Sequence, residues 1–177
     1  MDCITKNDII DRILDTYKHD LGNAFEQYRN HVYRVFNFTM PYLSSNQEIE
    51  TISVAAAFHD LGIWTNKTFD YLEPSILLAK QYAAANRTDA ATIHEIETII
   101  NLHHKLTRIK TSALAETFRQ ADLVDLSLGI IRCGRTRKTV SKIKRAFPNK
   151  GFHLNLTKLF VKNLIKNPLR PLPMYKF

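Results

Sequence analysis

Apolar residues recur every three to four positions along most of this chain, and alternating strand patterns are scarce. A first helix is predicted from Asn7, a suitable N-cap, with Ile10, Ile13, Leu14 and Tyr17 on one face. A second carries Phe25, Tyr28, Val32, Val35 and Phe36, holds His31 on or beside that face, and ends at Pro41. Ser44-Ser45-Asn46-Gln47-Glu48 reads as a capped start to a third, which runs to His59-Asp60 and stops at Gly62 as a C′ residue. Thr65 to Asp70 reads as a loop. A fourth helix follows from about Glu73-Pro74 with Ile76, Leu77, Ala79 and Tyr82, its proline near the first turn. The next runs from Thr88 or Ala90 to Leu106 and carries Ile93, Ile96, Ile99, Ile100 and His103. Further helices span Ser112 to Leu128, Thr136 to Phe147 and Leu156 to Lys166, and Pro168, Pro171 and Pro173 close the chain as an extended tail. The pattern predicts an all-α bundle of seven or eight helices.

Composition supports a folded globule. The chain has 177 residues, 45% of them apolar, long enough to bury a sizeable core in a single domain spanning 1–177. No Gly/Ser linker or internal repeat divides it. Five glycines suit a helical protein with few tight turns, and two cysteines, Cys3 and Cys133, support neither a disulfide framework nor a cysteine-based zinc site. The N-terminus lacks the basic-then-apolar order of a signal peptide, and no run approaches the roughly 20 apolar residues of a membrane span. A cytoplasmic protein without transmembrane segments is expected.

The net charge of +8 conceals an asymmetry. Residues 1–125 hold 12 Lys/Arg against 17 Asp/Glu, whereas residues 126–177 hold the other 13 Lys/Arg and no acid. The basic character belongs to the last third, where it attracts phosphates, nucleotides, nucleic acid or an acidic partner.

His59-Asp60 ends the apolar run Ile52–Phe58, and an imidazole beside a carboxylate there forms a compact ligand pair for a divalent cation. His31 lies upstream; His103-His104 and then Asp122, in Gln120-Ala121-Asp122-Leu123-Val124-Asp125, lie downstream. These candidates come from different helices, as a metal site in a bundle core requires. Adjacent helical residues point about 100° apart, so His103 and His104 reach one ion together only with difficulty, and the spacing turns His103 toward the core. His94 faces elsewhere, and His19 and His153 read as surface residues.

The ordered set His…His-Asp…Asp resembles the HD superfamily of metal-dependent phosphohydrolases. The similarity rests on Tyr28–Val35 around the first histidine, on Ala56-Ala57-Phe58-His59-Asp60-Leu61-Gly62, and on Ala121-Asp122-Leu123-Val124-Asp125. It covers roughly residues 25–128, leaving 129–177 as a basic helical extension. The resemblance implies an HD-type helical bundle with His31, His59, Asp60 and Asp122 as metal ligands and Asp125 as a supporting or capping group. In two-metal branches a His-His pair feeds a bridged second ion; for His103-His104 the alternative is one histidine on substrate and the other in solvent. The mixed nitrogen and oxygen donors suit Mn, Fe, Co, Ni, Zn or Mg. The implied activity is hydrolysis of a small anionic phosphoester or nucleotide by a metal-activated water. Arg34, one turn after His31, could meet a phosphate or form a surface ion pair, and Lys105 and Arg108 are further candidates.

One departure matters. Nucleotidase and alarmone-hydrolase branches place an acid shortly after the HD pair, where this chain has Ile63-Trp64; Asp70 and Glu73 come later. The general acid or base is therefore unassigned, which leaves room for a hydratase- or lyase-like enzyme acting on a small apolar, nitrile-like substrate, with Trp64 and Phe69 as pocket residues or plain core. The basic cluster Arg132, Arg135, Arg137, Lys138, Lys142, Lys144, Arg145 and the stripe Lys158, Lys162, Lys166 suggest a polyanion or membrane surface, a nucleic-acid-binding module, or a docked helix with a solvated face.

Overall fold

The computed structural model describes residues 3–175, and among these the secondary structure is entirely helical. Ten α-helices follow one another: α1 (Asp8–Thr16), α2 (Lys18–Leu21), α3 (Phe25–Thr39), α4 (Asn46–Phe58), α5 (Gly62–Thr65), α6 (Leu72–Ala85), α7 (Ala90–Leu102), α8 (Ala113–Leu126), α9 (Arg137–Ala146) and α10 (Phe152–Lys166). Eight have nine residues or more; α2 and α5 are single turns. None is long and apolar enough to cross a membrane.

Side chains placed to cap do so. Asn7 Oδ1 accepts from the amides of Ile9 and Ile10 at 3.0 Å each, while its Nδ2 donates to Ser53 Oγ at 2.9 Å, so one side chain starts α1 and ties it to α4. Ser45 and Glu48 form a reciprocal capping box at the start of α4, and Ser112 and Thr136 cap α8 and α9.

Helices α3 and α4 form the centre. From Asn30 to Thr39 every residue of α3 is buried, because α4, α8, α9 and α10 all pack around it. Helix α4 is buried from Thr51 to Phe58, packed by α1, α3, α6 and α7. Its Ala55-Ala56-Ala57 stretch presents no bulk, which lets neighbouring helices approach closely around the positions that precede His59. Large buried side chains such as Phe36, Phe58 and Phe118 each contribute roughly 1.5–3 kcal/mol by leaving water.

Four boundaries differ from the sequence pattern. Helix α4 ends at Phe58, and Gly62 opens α5 instead of terminating α4 in a left-handed conformation. Glycine is required there by proximity: a Cβ would lie 2.6 Å from Tyr71 O and 3.0 Å from Pro74 Cβ. Helix α7 stops at Leu102, four residues before the expected Leu106. Helix α10 begins at Phe152, four residues before the expected Leu156, with Gly151 (φ 92°) at its N-cap. The proline-bearing tail folds back instead of extending: Asn163 Nδ2 donates to Pro171 O at 2.8 Å and Met174 is buried.

Candidate metal centre

Helices α3, α4, α7 and α8 bring the predicted ligands together at the centre of the bundle. His31, on α3, is fully buried, as is His59 at the C-terminus of α4; Asp60, His103 and Asp122 are at most 2% exposed. His31 Nε2 and His59 Nε2 lie 2.9 Å apart. Asp60 Oδ2 is 3.6 and 3.5 Å from these two nitrogens, and Asp122 Oδ1 is 3.6 and 3.9 Å from them. Ligand atoms at about 2.0–2.2 Å from a shared ion stand about 3 Å from one another, so a modest contraction would bring His31, His59 and Asp60 into coordination, with Asp122 facing the same two imidazoles.

The second oxygens of the same carboxylates face the adjacent histidines. Asp60 Oδ1 is 3.3 Å from His103 Nε2, and Asp122 Oδ2 is 3.7 Å from His104 Nδ1. Two groups of donors, His31/His59/Asp60 and Asp60/His103/His104, could each hold a metal ion, with Asp60 common to both. The difficulty of turning neighbouring helical histidines toward one site disappears because α7 ends at Leu102: both lie in the turn beyond it, with ring centroids 4.0 Å apart.

The orientation of each ring is fixed from behind. His59 Nδ1 donates to Ala56 O at 2.8 Å and His103 Nδ1 to Ile100 O at 2.7 Å; carbonyls only accept, so each Nδ1 carries the hydrogen and each Nε2 is left as a donor to an ion. His31 Nδ1 donates to Asp125 Oδ2 at 2.7 Å. His104 Nε2 meets the Tyr71 hydroxyl at 2.7 Å, leaving Nδ1 toward Asp122. Phe152, the first residue of α10, stacks on His31 with centroids 4.2 Å apart. The Tyr28 hydroxyl donates to Ala57 O at 3.0 Å and accepts from the Asp60 amide at 3.3 Å, holding the turn that presents Asp60.

Arg34 corrects the sequence reading. Its guanidinium is buried and grips Asp125 through Nε and Nη2, at 2.5 and 2.9 Å, while Nη1 donates to Phe147 O at 3.0 Å. It therefore holds Asp125, which holds His31, and is not free to receive a phosphate. Arg135 is likewise no part of a basic surface: it is buried, donating to Phe38 O and Cys133 O. His153 is not a surface residue either. Its Nε2 donates to Asp125 O at 2.9 Å and its Nδ1 pairs with Asn149. Asp70 and Glu73 are exposed, as are His19 and His94. Trp64 packs on Tyr28, at 4.6 Å between centroids.

Charges in the cluster polarise one another strongly. Burial works against a charge on His31, but Asp125 at 2.7 Å, backed by Asp60 and Asp122, raises its pKa to about 9. Burial drives His59 down to about 3, so it stays neutral. His104 is also lowered by burial and by His103. Burial opposes charge on both carboxylates. The surrounding histidines outweigh it at Asp60, which is lowered, whereas at Asp122 burial and the neighbouring Asp60 and Asp125 win and the pKa is raised.

Among the described residues, four buried atoms, Asp60 Oδ1, His103 Nε2 and both carboxylate oxygens of Asp122, lack hydrogen-bond partners. Unpaired polar atoms in a protein interior are costly, and here they converge on the same small space, which is the arrangement a cation satisfies.

Tyr28, Tyr71 and Phe152 are members of the site that sequence reasoning did not assign to it; Asp125 takes the supporting place expected of it, with Arg34 as its partner. Tyr28 had a usable signal, its position one turn before His31 on the same helical face. Nothing local marks Phe152, which arrives from a helix 121 residues downstream of His31. No protein-family model, curated protein or solved structure matches this chain.

Proposed function

We propose that this chain is a divalent-metal-dependent hydrolase of the HD type, which cleaves a phosphoester. The observation that carries the reading is the convergence of the four unpaired atoms of Asp60, His103 and Asp122 on the His31/His59 pair. One ion would be held by His31 Nε2, His59 Nε2, Asp60 Oδ2 and Asp122 Oδ1. A second would be held by Asp60 Oδ1, His103 Nε2, His104 Nδ1 and Asp122 Oδ2. The mixed donors suit Mn, Fe, Co, Ni, Zn or Mg.

Such ions polarise a phosphoryl oxygen and lower the pKa of a neighbouring water. The chain's own contribution is orientation. Asp125 and Arg34 hold His31, backbone carbonyls hold His59 and His103, and Tyr71 holds His104; partners of this kind support metal affinity by roughly 10–100-fold. Burial of the cluster strengthens each electrostatic contact.

Elemental analysis of the reconstituted protein beside Asp60→Ala and His59→Ala, with hydrolysis of aryl phosphoesters measured on the same samples, tests the reading. About two ions per chain are expected in the parent, with both lost in Asp60→Ala, and turnover reduced at least about a hundredfold in both variants. A parent protein that takes up no ion overturns it, and one that binds ions but cleaves no phosphoester overturns the hydrolase part.

A further inference from the structure

A cavity of about 270 Å³ reaches the cluster, with Asp60 and His104 among its walls. This is slightly below the usual 300–1,000 Å³ of small-molecule sites, enough for a ring-sized body and little more. Its remaining surface is dominated by Phe69, Leu126, Leu156, Phe160, Leu172 and Met174. The few polar neighbours are mostly committed. The Tyr71 hydroxyl pairs with His104, both ring nitrogens of His153 have partners, and Thr157 Oγ1 donates to His153 O. Tyr175, stacked on His104 with centroids 5.4 Å apart, forms part of the wall beside the metal ligands.

No lysine or arginine lines this cavity among the described residues. The nearest buried guanidinium, Arg34, is spent on Asp125. Lys162 and Lys166 of the α10 stripe line a different groove with Lys67 and Trp64, which shares only Phe69 with this cavity. Arg132, Arg137, Lys144 and Arg145 line a third, beside α9. A single anionic group can rest on the metal ions, but each further phosphate would sit against hydrocarbon with no counter-charge among the described residues, a costly burial.

We infer that the site selects molecules with one small anionic head and an apolar, ring-sized body, and rejects nucleoside di- and triphosphates. The head meets the ions proposed above, on which this inference rests, and the body lies against Phe160, Leu156 and Leu172.

Calorimetric titration of the metal-loaded protein with methylphosphonate, benzylphosphonate and ADP tests this, with ion content measured on each sample. Benzylphosphonate is expected to bind at least about tenfold more tightly than methylphosphonate, through burial of its ring, and ADP no more tightly than methylphosphonate. Phe160→Lys is expected to weaken benzylphosphonate and strengthen ADP. Leu172→Ala, at a half-exposed wall position and safer for folding, is expected to cut the benzyl preference severalfold. Equal binding of the two phosphonates, or ADP binding as tight as benzylphosphonate with ions in place, overturns the inference and leaves the metal centre standing. A protein that takes up no ions and binds no phosphonate overturns both.

Discussion

Residues 1–125 carry an excess of acid and bury several of those acids at the centre of the bundle, whereas residues 126–177 carry thirteen Lys/Arg and leave most of them in solvent. In the first region the buried acids of the cluster each face named neighbours. Asp125 is held by Arg34 and His31, and Asp60 and Asp122 face histidines from three other segments. In the second, Lys158, Lys162 and Lys166 project into water from the outer face of α10. Buried ion networks are poor sources of stability, because removing ions from water costs about as much as their attraction returns. Their presence at the bundle centre is what motivates the proposed metal site. Solvated lysines cost almost nothing to keep and carry no such message.

The sharpest way to break this contrast is to remove one cation from each region. Arg34→Met removes the guanidinium that grips buried Asp125, leaving His31 opposite it, and should destabilise the protein by about 3–5 kcal/mol. Lys162→Met should change stability by no more than about 0.5 kcal/mol. Urea midpoints of the two variants decide the matter, and similar values would dissolve the distinction between the regions.

A smaller effect is expected at Gly62. An added Cβ meets the Tyr71 carbonyl at 2.6 Å, and neither backbone can yield freely. Gly62→Ala should cost about 1–3 kcal/mol and, because the Asp60 turn must shift, should also lower metal uptake. Unchanged melting and full ion content would show that the turn adapts.

The smallest effect is one of pH. The His31 pKa rises from 6.5 to about 9 in the folded, metal-free protein. A group with a raised pKa contributes stability that is complete below its unfolded value and is lost as pH climbs through the folded one. Asp122, also raised, acts in the same direction. The melting temperature of the metal-free protein should therefore fall by a few degrees between about pH 6.5 and 9. Saturating metal should reverse the trend, since ligation requires the proton to leave His31. A flat profile without metal would show that the cluster does not hold that proton.

How far these features could be seen in advance depended on the distance over which they act. The caps at Asn7 and Ser45 were legible because each acts within its own first turn. The metal candidates His31, His59, Asp60 and Asp122 were legible as residue types on apolar helices, and the bundle brings each carboxylate within 4 Å of both imidazoles. Arg34 was misread because a charged side chain on a helix is ordinarily solvated. Here α3 is surrounded on every side, and only the acid at position 125, distant in sequence, makes that tolerable. The end of α7 at Leu102 was hidden because neither glycine nor proline marks it, and the fate of His104 depended on that boundary. His153 looked like a polar residue in a loop until Gly151 began α10 beneath it.

The link from His31 to Asp125 spans 94 residues, and the stack of Phe152 on His31 spans 121. Closing separations of that size costs chain entropy long before any contact rewards it. The paired caps and local turns of α1 and α4 can form early, but the imidazole of His31 has neither its anion nor its ring partner until α8 and α10 have docked. During synthesis, a chain released as far as α7 presents three of the six central histidines and carboxylates with nothing to hold the first of them. The cluster is thus a record of completed folding: it acquires its geometry only when nearly the whole polypeptide is in place.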